Sequence, residues 1–263
     1  VITNMVGQRW LEYDELTRYR PDPILVQITG LSDGTPAVDY TVNCEVGMPL
    51  LTGPAGLADP VNHVLPAWDL LTGLHAAIAI LTAERARSRT GRGQHIQLAL
   101  ADVAVATMGH LGFIGEVAVN GRGRARDGNH LYGSFGCDFR TADGQRVMVV
   151  ALTRRHWRNL VRVTGIAEAV TVLERTLGVD FTAEEARYEH REVLAALVRP
   201  WFAQRSLDEV VAELGSGQVL WGRYRTVEQL VTDPTSLLHS SPIVDDVEHP
   251  AIGTFPTPRS VLR

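Results

Sequence analysis

Residues 66–100, PAWDLLTGLHAAIAILTAERARSRTGRGQHIQLAL, constrain the fold more than any other stretch of this sequence. Their apolar side chains recur at three- and four-residue steps: Leu70, Leu71, Leu74, Ala77, Ile78 and Leu81. That spacing predicts a long helix beginning at Asp69. Gly91 follows a cluster of arginines and predicts a left-handed C-cap. Residues 95–100 then predict a short strand.

The residues before this block predict a parallel sheet. Residues 1–5 indicate a strand, 10–20 a short helix, and ILVQITG (24–30) a continuous apolar strand that ends in glycine. Strand, helix and strand at this spacing form a βαβ unit with a buried second strand. Residues 39–51 and 101–119 predict two further helices.

A glycine- and arginine-rich loop at 120–133 marks the clearest boundary in the chain. Beyond it, 134–152 predicts two strands around an Asp-Gly turn. Helices are predicted at 154–164, 183–203 and 206–214, a strand at 217–224, and helix caps at Ser206 and Thr226. The tail alternates strand and turn signals. We therefore expect an α/β part at 1–118, a smaller α+β part at 119–240, and a segment at 241–263 that returns to the first part.

Composition excludes several classes of function. The chain has 263 residues, a formal net charge of −5 and no lysine among its 25 basic residues. Phosphate-binding loops of the GxxxxGK[ST] type and Schiff-base enzymes need a lysine, so neither class fits this stretch. The acidic balance argues against nucleic-acid or membrane partners. Cys44 and Cys137 predict neither a disulfide framework nor a zinc site, the histidines form no metal-binding pair, and a reduced cytoplasm is expected.

Three features carry alternative interpretations. Asp69 is either the N-cap of its helix or a nucleophile, and the two roles are compatible because a helix N-terminus also stabilises a carboxylate. Arg122, Arg124 and Arg126 either bind phosphates or belong to a solvated connector. The tryptophans at 157, 201 and 221 have apolar neighbours and are expected in a core.

Taken together, several segments resemble the class III CoA-transferase family. They are VITNM, RPDPILVQITGLSDGTP, the 66–104 block, RDGNHLYGSFGCDFRTADGQRVMVVA, LVTDP and HPAIG. The resemblance implies an α/β class III CoA-transferase fold: a Rossmann-like large domain, partly missing here, and a smaller α+β domain. The opening VITNM is similar to an internal buried strand, so we expect an upstream portion to be absent.

The resemblance also implies roles for individual residues. Asp69 falls on the nucleophile, which forms an acyl anhydride and then an aspartyl-CoA thioester, with backbone N–H groups at the helix start stabilising the oxyanions. The residues implied to bind CoA or to lie near the acyl group are Asn4, Met5, Arg9, Asp39, Gly128, Asn129 and Gly133. Met5 stands where the family usually has Phe, and the loop around Gly128 lacks the family's consecutive glycines.

Within the family, VDYTVNCEVGMPLLTGP and NHVLPAWD are most similar to members that move CoA between the two carboxyl groups of one methyl-branched C4 diacid, as in mesaconyl-CoA. Bimolecular transfer to a second acid, racemisation of an α-methylacyl-CoA and a non-catalytic CoA-binding module stay open. The resemblance implies no permanently bound cofactor or metal, coenzyme A as part of an acyl-CoA substrate, and an interlocked homodimer whose domains are joined by an extended segment within 101–133.

Overall fold

The computed structural model describes residues 1–262, which fall into two units along the chain. The first unit is Val1–Gly128, and the second begins at Asn129. The boundaries expected at 118 and 240 stay predictions.

The first unit contains a three-stranded parallel sheet in the order β1–β2–β3. Its strands are β1 (Ile2–Thr3), β2 (Ile24–Thr29) and β3 (Gln94–Ala99). Val26, in the central strand, pairs with residues of both neighbours and is fully buried. The predicted βαβ unit is confirmed, because β1 and β2 are parallel and a helix lies between them in sequence.

Six helices accompany this sheet: α1 (Tyr13–Tyr19), α2 (Asp39–Glu45), α3 (Met48–Leu51), α4 (Ala67–Thr90), α5 (Leu100–His110) and α6 (Phe113–Asn120). A 3-10 turn precedes α1. The long helix α4 begins two residues before the predicted start. Its C-cap is Gly91 at φ 67°, which confirms the prediction of a left-handed cap.

Two predicted helices are each divided in the structure. The helix expected at 39–51 separates into α2 and α3 at Gly47, whose φ is 80°. The helix expected at 101–119 separates into α5 and α6 at Gly112, whose φ is 83°. A left-handed residue cannot continue a right-handed helix, so the chain changes direction at both glycines. Within 101–133, which was expected to contain an extended connection between domains, residues 101–110 and 113–120 are helical and residues 121–133 lie outside helices and strands.

Among residues 1–262 no single helix is long and apolar enough to cross a membrane. Helices α5 and α6 have the required length and apolar composition only as a pair, and the pair is bent by 61°.

The apolar stripe of α4 lies on the outer face of the helix in this chain. Stripes of this kind usually face the core, yet Leu74 and Leu81 are 62% and 70% exposed. The buried residues of α4 are Trp68, Thr72, Ala76 and Ala83. Small side chains let a helix lie close to a sheet, and α4 contacts both β2 and β3. The apolar periodicity did not predict that the larger side chains would stay outside.

The second unit contains an antiparallel sheet in the order β4–β5–β6. Its strands are β4 (Phe135–Arg140), β5 (Arg146–Ala151) and β6 (Leu220–Arg223). The Asp143-Gly144 turn between β4 and β5 is confirmed, with Gly144 at φ 81°. A second hairpin pairs β7 (Val244–His249) with β8 (Gly253–Pro258).

The helices of this unit are α7 (Arg154–Thr164), α8 (Ala167–Leu177), α9 (Glu184–Glu189), α10 (Arg191–Ala203), α11 (Leu207–Ser216), α12 (Val227–Thr232) and α13 (Leu237–Ser240). Helix α8 was not predicted, and the helix expected at 183–203 is divided at His190. The caps predicted at Ser206 and Thr226 are confirmed. Trp157 and Trp201 are buried in the core of this unit, as predicted.

Candidate active site

A cleft lies at the carboxyl ends of the three parallel strands in the first unit. Asn4 follows β1, Gly30 follows β2 and Leu100 follows β3, and all three line the cleft together with Asp69. Its volume is about 490 Å³. In open α/β sheets ligands bind at this edge, outside the carboxyl ends of the strands. The cleft is therefore the candidate active site of this unit.

Gly30 shapes the floor of the cleft. A Cβ atom at this position would lie 2.1 Å from the backbone nitrogen of Ala37, far inside van der Waals contact. Only glycine therefore lets the loop after β2 return against the end of its own strand. That return places Ala37 and Val38 in the wall of the cleft.

Asp69 is the third residue of α4 and not its N-cap. The helix begins at Ala67 after Pro66, and no side chain of the capping residue bonds to the first turn. The capping prediction for Asp69 is wrong, because the helix starts two residues earlier. The Asp69 side chain is exposed and lines the cleft.

Asp39 supplies the cap that α4 needs. Its Oδ2 accepts hydrogen bonds from the backbone amides of Trp68 (2.7 Å) and Asp69 (3.3 Å). The Asp39 residue is only 2% exposed. A carboxylate at a helix N-terminus is stabilised by the donors and by the helix dipole.

The other amides of this first turn are also engaged. The Ala67 amide donates to the Leu65 carbonyl at 2.8 Å, and the Leu70 amide donates to the Pro66 carbonyl at 3.1 Å. None of the amides at the start of α4 is left to stabilise an oxyanion. The expectation that they do so is wrong for this geometry.

One further side chain, Asn43, holds the start of α4. Asn43 lies one helical turn after Asp39 on α2 and is fully buried. Its Oδ1 accepts the indole N–H of Trp68 at 3.2 Å and lies 3.0 Å from His63 Nε2. Sequence reasoning did not single out Asn43 or pair it with Asp39. The signal was present, since polar residues four positions apart share one face of a helix.

Asn4, Met5 and Arg9, which were expected to bind CoA together, lie in different surroundings after β1. Asn4 lines the candidate active-site cleft with Val6. Met5 instead lines a neighbouring hollow of about 260 Å³ with Gln8 and His95. Arg9 is exposed in the 3-10 turn that follows. The structure thus brings Asn4, and not Met5 or Arg9, to the same cleft as Asp69.

The segment expected to close over the acyl group spans the boundary of the two units. Gly128 ends the first unit, and its amide donates to the Gly53 carbonyl at 3.2 Å. In the second unit, the Asn129 side-chain amide donates to Asp138 at 2.9 Å, and Gly133 has φ 79°. The closing role of these residues stays a prediction.

Two arginines of the 120–133 loop form hydrogen bonds or ion pairs with other residues of the first unit. The Arg126 guanidinium is buried and donates to the carbonyls of Pro49, Leu50 and Leu57. Arg124 forms an ion pair with Glu116 at 2.7 Å and lies over the Phe113 ring. These contacts fit neither a phosphate site nor a solvated connector.

The ionisable groups near the cleft are few. Asp69 is the one ionisable side chain among the residues that line it in the first unit, and no histidine lines it. Across the described chain, no group of three or more His, Cys, Asp or Glu side chains is arranged to hold a metal ion.

Comparison with known proteins gives the family. The model for CoA-transferase family III matches residues 1–263. The 2-methylfumaryl-CoA isomerase of Chloroflexus aurantiacus is 46% identical over 261 residues, which cover 99% of this chain and 64% of that protein. The succinyl-CoA:mesaconate CoA-transferase of Haloarcula hispanica is 28% identical, over 90% of this chain and 59% of that protein. The chain thus spans less than two thirds of the length of either relative.

Solved structures show the same fold. A CAIB/BAIF family protein from Brucella suis matches with a TM-score of 0.75 at 24% identity, covering 100% of this chain and 67% of the other. A Mycobacterium tuberculosis protein in an orthorhombic crystal form matches with a TM-score of 0.78 at 22% identity, covering 100% and 70%. Together with the family match over the whole chain, this likeness settles the family: the chain belongs to CoA-transferase family III.

Proposed function

We propose that the complete protein transfers CoA between carboxyl groups through covalent intermediates on Asp69. The observation that carries this proposal is the setting of Asp69, whose exposed carboxylate lines the cleft at the carboxyl edge of a parallel sheet. Within the described chain no hydrogen bond or ion pair engages that carboxylate. Its oxygen lone pairs are therefore available to attack an acyl carbon.

The first half of the proposed reaction moves CoA onto the enzyme. An Asp69 oxygen attacks the thioester carbonyl, the C–S bond breaks, and the CoA thiolate leaves behind a mixed anhydride. The thiolate then attacks the Asp69 carbonyl carbon and breaks its bond to the bridging oxygen. The products are a free substrate carboxylate and an aspartyl-CoA thioester. Two moderate barriers replace one difficult step.

The second half reverses these steps on the other end of the diacid. The second carboxylate of the same molecule attacks the Asp69 thioester, and the thiolate leaves again. Attack of the thiolate on the substrate carbonyl then restores the Asp69 carboxylate and yields the regioisomeric thioester. No proton, electron or second acid is consumed, so the whole reaction is an isomerisation.

We propose 2-methylfumaryl-CoA (mesaconyl-CoA) as the substrate. The support is the 46% identity to a 2-methylfumaryl-CoA isomerase over nearly the whole chain. Asn4 and Met5 are proposed to contact CoA from the two sides of the segment after β1, and Arg9 to bind its phosphates. Gly128, Asn129 and Gly133 are proposed to close over the acyl group. No permanently bound cofactor is needed for these steps.

Racemisation of an α-methylacyl-CoA is the second candidate. It requires an acid and a base on either side of the α-carbon. In the first unit the cleft presents Asp69 and no second ionisable side chain. This observation favours a single nucleophile over an acid–base pair.

The decisive experiment supplies the complete protein with mesaconyl-CoA as its only substrate. An isomerase interconverts the two regioisomers without an added acid, as followed by reversed-phase chromatography. A bimolecular transferase does nothing until an acceptor acid is added. A racemase leaves mesaconyl-CoA unchanged, because the α-carbon of this thioester carries no proton. It instead incorporates solvent deuterium at the α-carbon of a saturated α-methylacyl-CoA supplied in a second assay, and a binding module gives none of these signals.

A further inference from the structure

Helix α2 holds the residue immediately before Asp69 by both of its N–H groups. Asp39 accepts the backbone amide of Trp68, and Asn43 accepts its indole N–H. All three residues are buried: Asp39 and Trp68 are each 2% exposed, and Asn43 is 0% exposed. We call Asp39 and Asn43 the α2 pair. Since Trp68 and Asp69 are adjacent, a shift of one moves the other.

Asp39 also limits what the Asp69 carboxylate can bond to. A carboxylate in the first turn of a helix ordinarily reaches the unpaired amides at that end. Here the N-cap is Pro66, which has no N–H, and Asp39 Oδ2 already accepts the amides of Trp68 and Asp69. The Asp69 side chain is therefore left in the cleft without an amide partner.

We propose that Asp39 is a positioning residue that fixes the start of α4 and keeps the Asp69 carboxylate free to attack. This inference rests on the proposed function of Asp69. Asp39 does not touch the substrate in this role, because its buried carboxylate acts through the backbone of α4. That separates it from the substrate-binding role implied by the family resemblance.

The test compares two replacements of Asp39 in the complete protein. Asp39→Asn keeps an oxygen acceptor for the two amides. Its new nitrogen stands in place of Oδ1, which has no hydrogen-bond partner in the described chain, so no bond is lost. Asp39→Ala removes the acceptor altogether.

The two variants are expected to differ mainly in kcat. Asparagine caps helices about as well as aspartate, so kcat of Asp39→Asn should stay within about threefold of the wild type. Displacement of a nucleophile by about 1 Å can cost on the order of 100-fold, so kcat of Asp39→Ala should fall by about 10- to 100-fold with little change in KM.

Ser206→Ala is the matched control for lost stability. Ser206 caps α11 in the second unit and accepts the Glu209 amide at 3.4 Å. Its removal should lower the unfolding midpoint in the same way as loss of the Asp39 cap, but it should leave kcat unchanged. Both variants are assayed well below their midpoints. Should Asp39→Ala fail to fold, Asp39→Ser replaces it, because its shorter side chain cannot span both amides.

Amide hydrogen exchange gives a readout that does not depend on activity. Asp39→Ala should speed exchange at the amides of Trp68 and Asp69, while Ser206→Ala should not. The proposal is overturned if kcat of Asp39→Ala stays within about twofold of the wild type. It is also overturned if Asp39→Asn loses as much kcat as Asp39→Ala, since the charge itself would then be used on the substrate.

The failure of the proposed function is recognised separately. In that case the wild type neither isomerises mesaconyl-CoA nor forms a hydroxylamine-sensitive adduct on Asp69. Unchanged exchange at Trp68 and Asp69 in Asp39→Ala would refute the positioning contact by itself, whatever the reaction of the wild type.

Discussion

Asp39 and Asp69 share one helix N-terminus but differ in their surroundings. Asp39 is buried and accepts two amides, whereas Asp69 is exposed in the cleft. A buried carboxylate needs such donors, because transfer from water without them is strongly unfavourable. The exposed carboxylate is hydrated and needs none. Asp39 thus stabilises the start of the helix, whereas Asp69, 30 positions later in sequence, is the proposed nucleophile.

Asp69→Asn tests the nucleophile directly. A neutral amide cannot form the anhydride, so kcat of the complete protein should fall by at least about 10³-fold. Because Asp69 does not cap α4, the free energy of unfolding should fall by no more than about 1 kcal/mol, which is the interaction of its charge with the helix dipole. Steady-state kinetics and thermal unfolding measure the two effects. In the wild type, hydroxylamine should trap the aspartyl-CoA thioester as a hydroxamate on Asp69, which peptide mass spectrometry locates. Turnover near the wild-type rate in Asp69→Asn would rule out this assignment.

Asp233 gives a pH prediction in the second unit. Hydrogen bonds from Thr235, together with Arg225, lower the pKa of this carboxyl from 3.8 to about 2. A carboxyl with a lowered pKa in the folded state stabilises the protein above its unfolded pKa, and that stability is lost as the pH falls towards the folded pKa. Asp233→Asn should therefore weaken the loss of stability between about pH 4 and pH 2.

Denaturant unfolding of the complete protein at a series of pH values measures this effect. Asp246→Asn, an exposed residue of β7, is the control. If Asp233→Asn and the wild type lose stability in parallel over this range, the hydrogen bonds to Asp233 do not contribute as described.

Among the elements, the break between α5 and α6 has a single physical cause. Gly112 at φ 83° joins two helices that are bent by 61°. An apolar run of this length predicts one straight helix, because hydrophobic periodicity does not report the sign of a backbone dihedral. The glycine was visible in the sequence, but glycines within helices are also common, as Gly109 and Gly115 show.

Gly112→Ala should therefore destabilise the protein. An L-residue in the left-handed region costs about 1–2 kcal/mol relative to glycine. Gly115→Ala is the matched control, because this glycine lies inside α6 and a Cβ there would meet nothing within 4 Å. The Gly115→Ala variant should be more stable than the wild type by about 0.5–1 kcal/mol. Denaturant unfolding measures the change in the free energy of unfolding for both variants. If both variants are stabilised or both are destabilised, the left-handed conformation of Gly112 is not the cause of the break.

At the scale of the whole molecule, the outer face of α4 bears on assembly. Leu70, Leu74, Ile78 and Leu81 are all more than half exposed in the single chain. Exposed apolar patches of this kind often mark surfaces that another chain or segment covers. The observation is compatible with an oligomer, and the homodimer stays a prediction from the family resemblance.

The complete protein should be a homodimer with interlocked subunits. Light scattering should give twice the monomer mass, and a monomer would contradict the prediction. Interlocked subunits cannot separate without unfolding. Two differently tagged preparations should therefore form mixed dimers when co-expressed, but not when mixed after purification. Rapid exchange between purified dimers would show a dimer that is not interlocked.

The sequence by itself determined the features that depend on a few neighbouring residues. The cap at Gly91, the Asp-Gly turn of the second unit and the caps at Ser206 and Thr226 all involve atoms within four residues of one another. The βαβ order follows equally from local periodicity. Such features are predictable because their hydrogen bonds close short loops of chain, whose conformational preferences are set by the residues themselves.

Only the tertiary structure decided which distant groups meet. Asp39 caps a helix that begins 28 residues later, and the Arg126 guanidinium bonds to carbonyls more than 60 positions earlier. It also decided that the small side chains of α4, and not its leucines, face the sheet. Apolar periodicity predicts that a helix has a distinct face, but the packing distance to the sheet selects the face that is buried. The Asp69 carboxylate has no amide partner for one local and one long-range reason. The N-cap Pro66 has no N–H, and the distant Asp39 accepts the amides of Trp68 and Asp69.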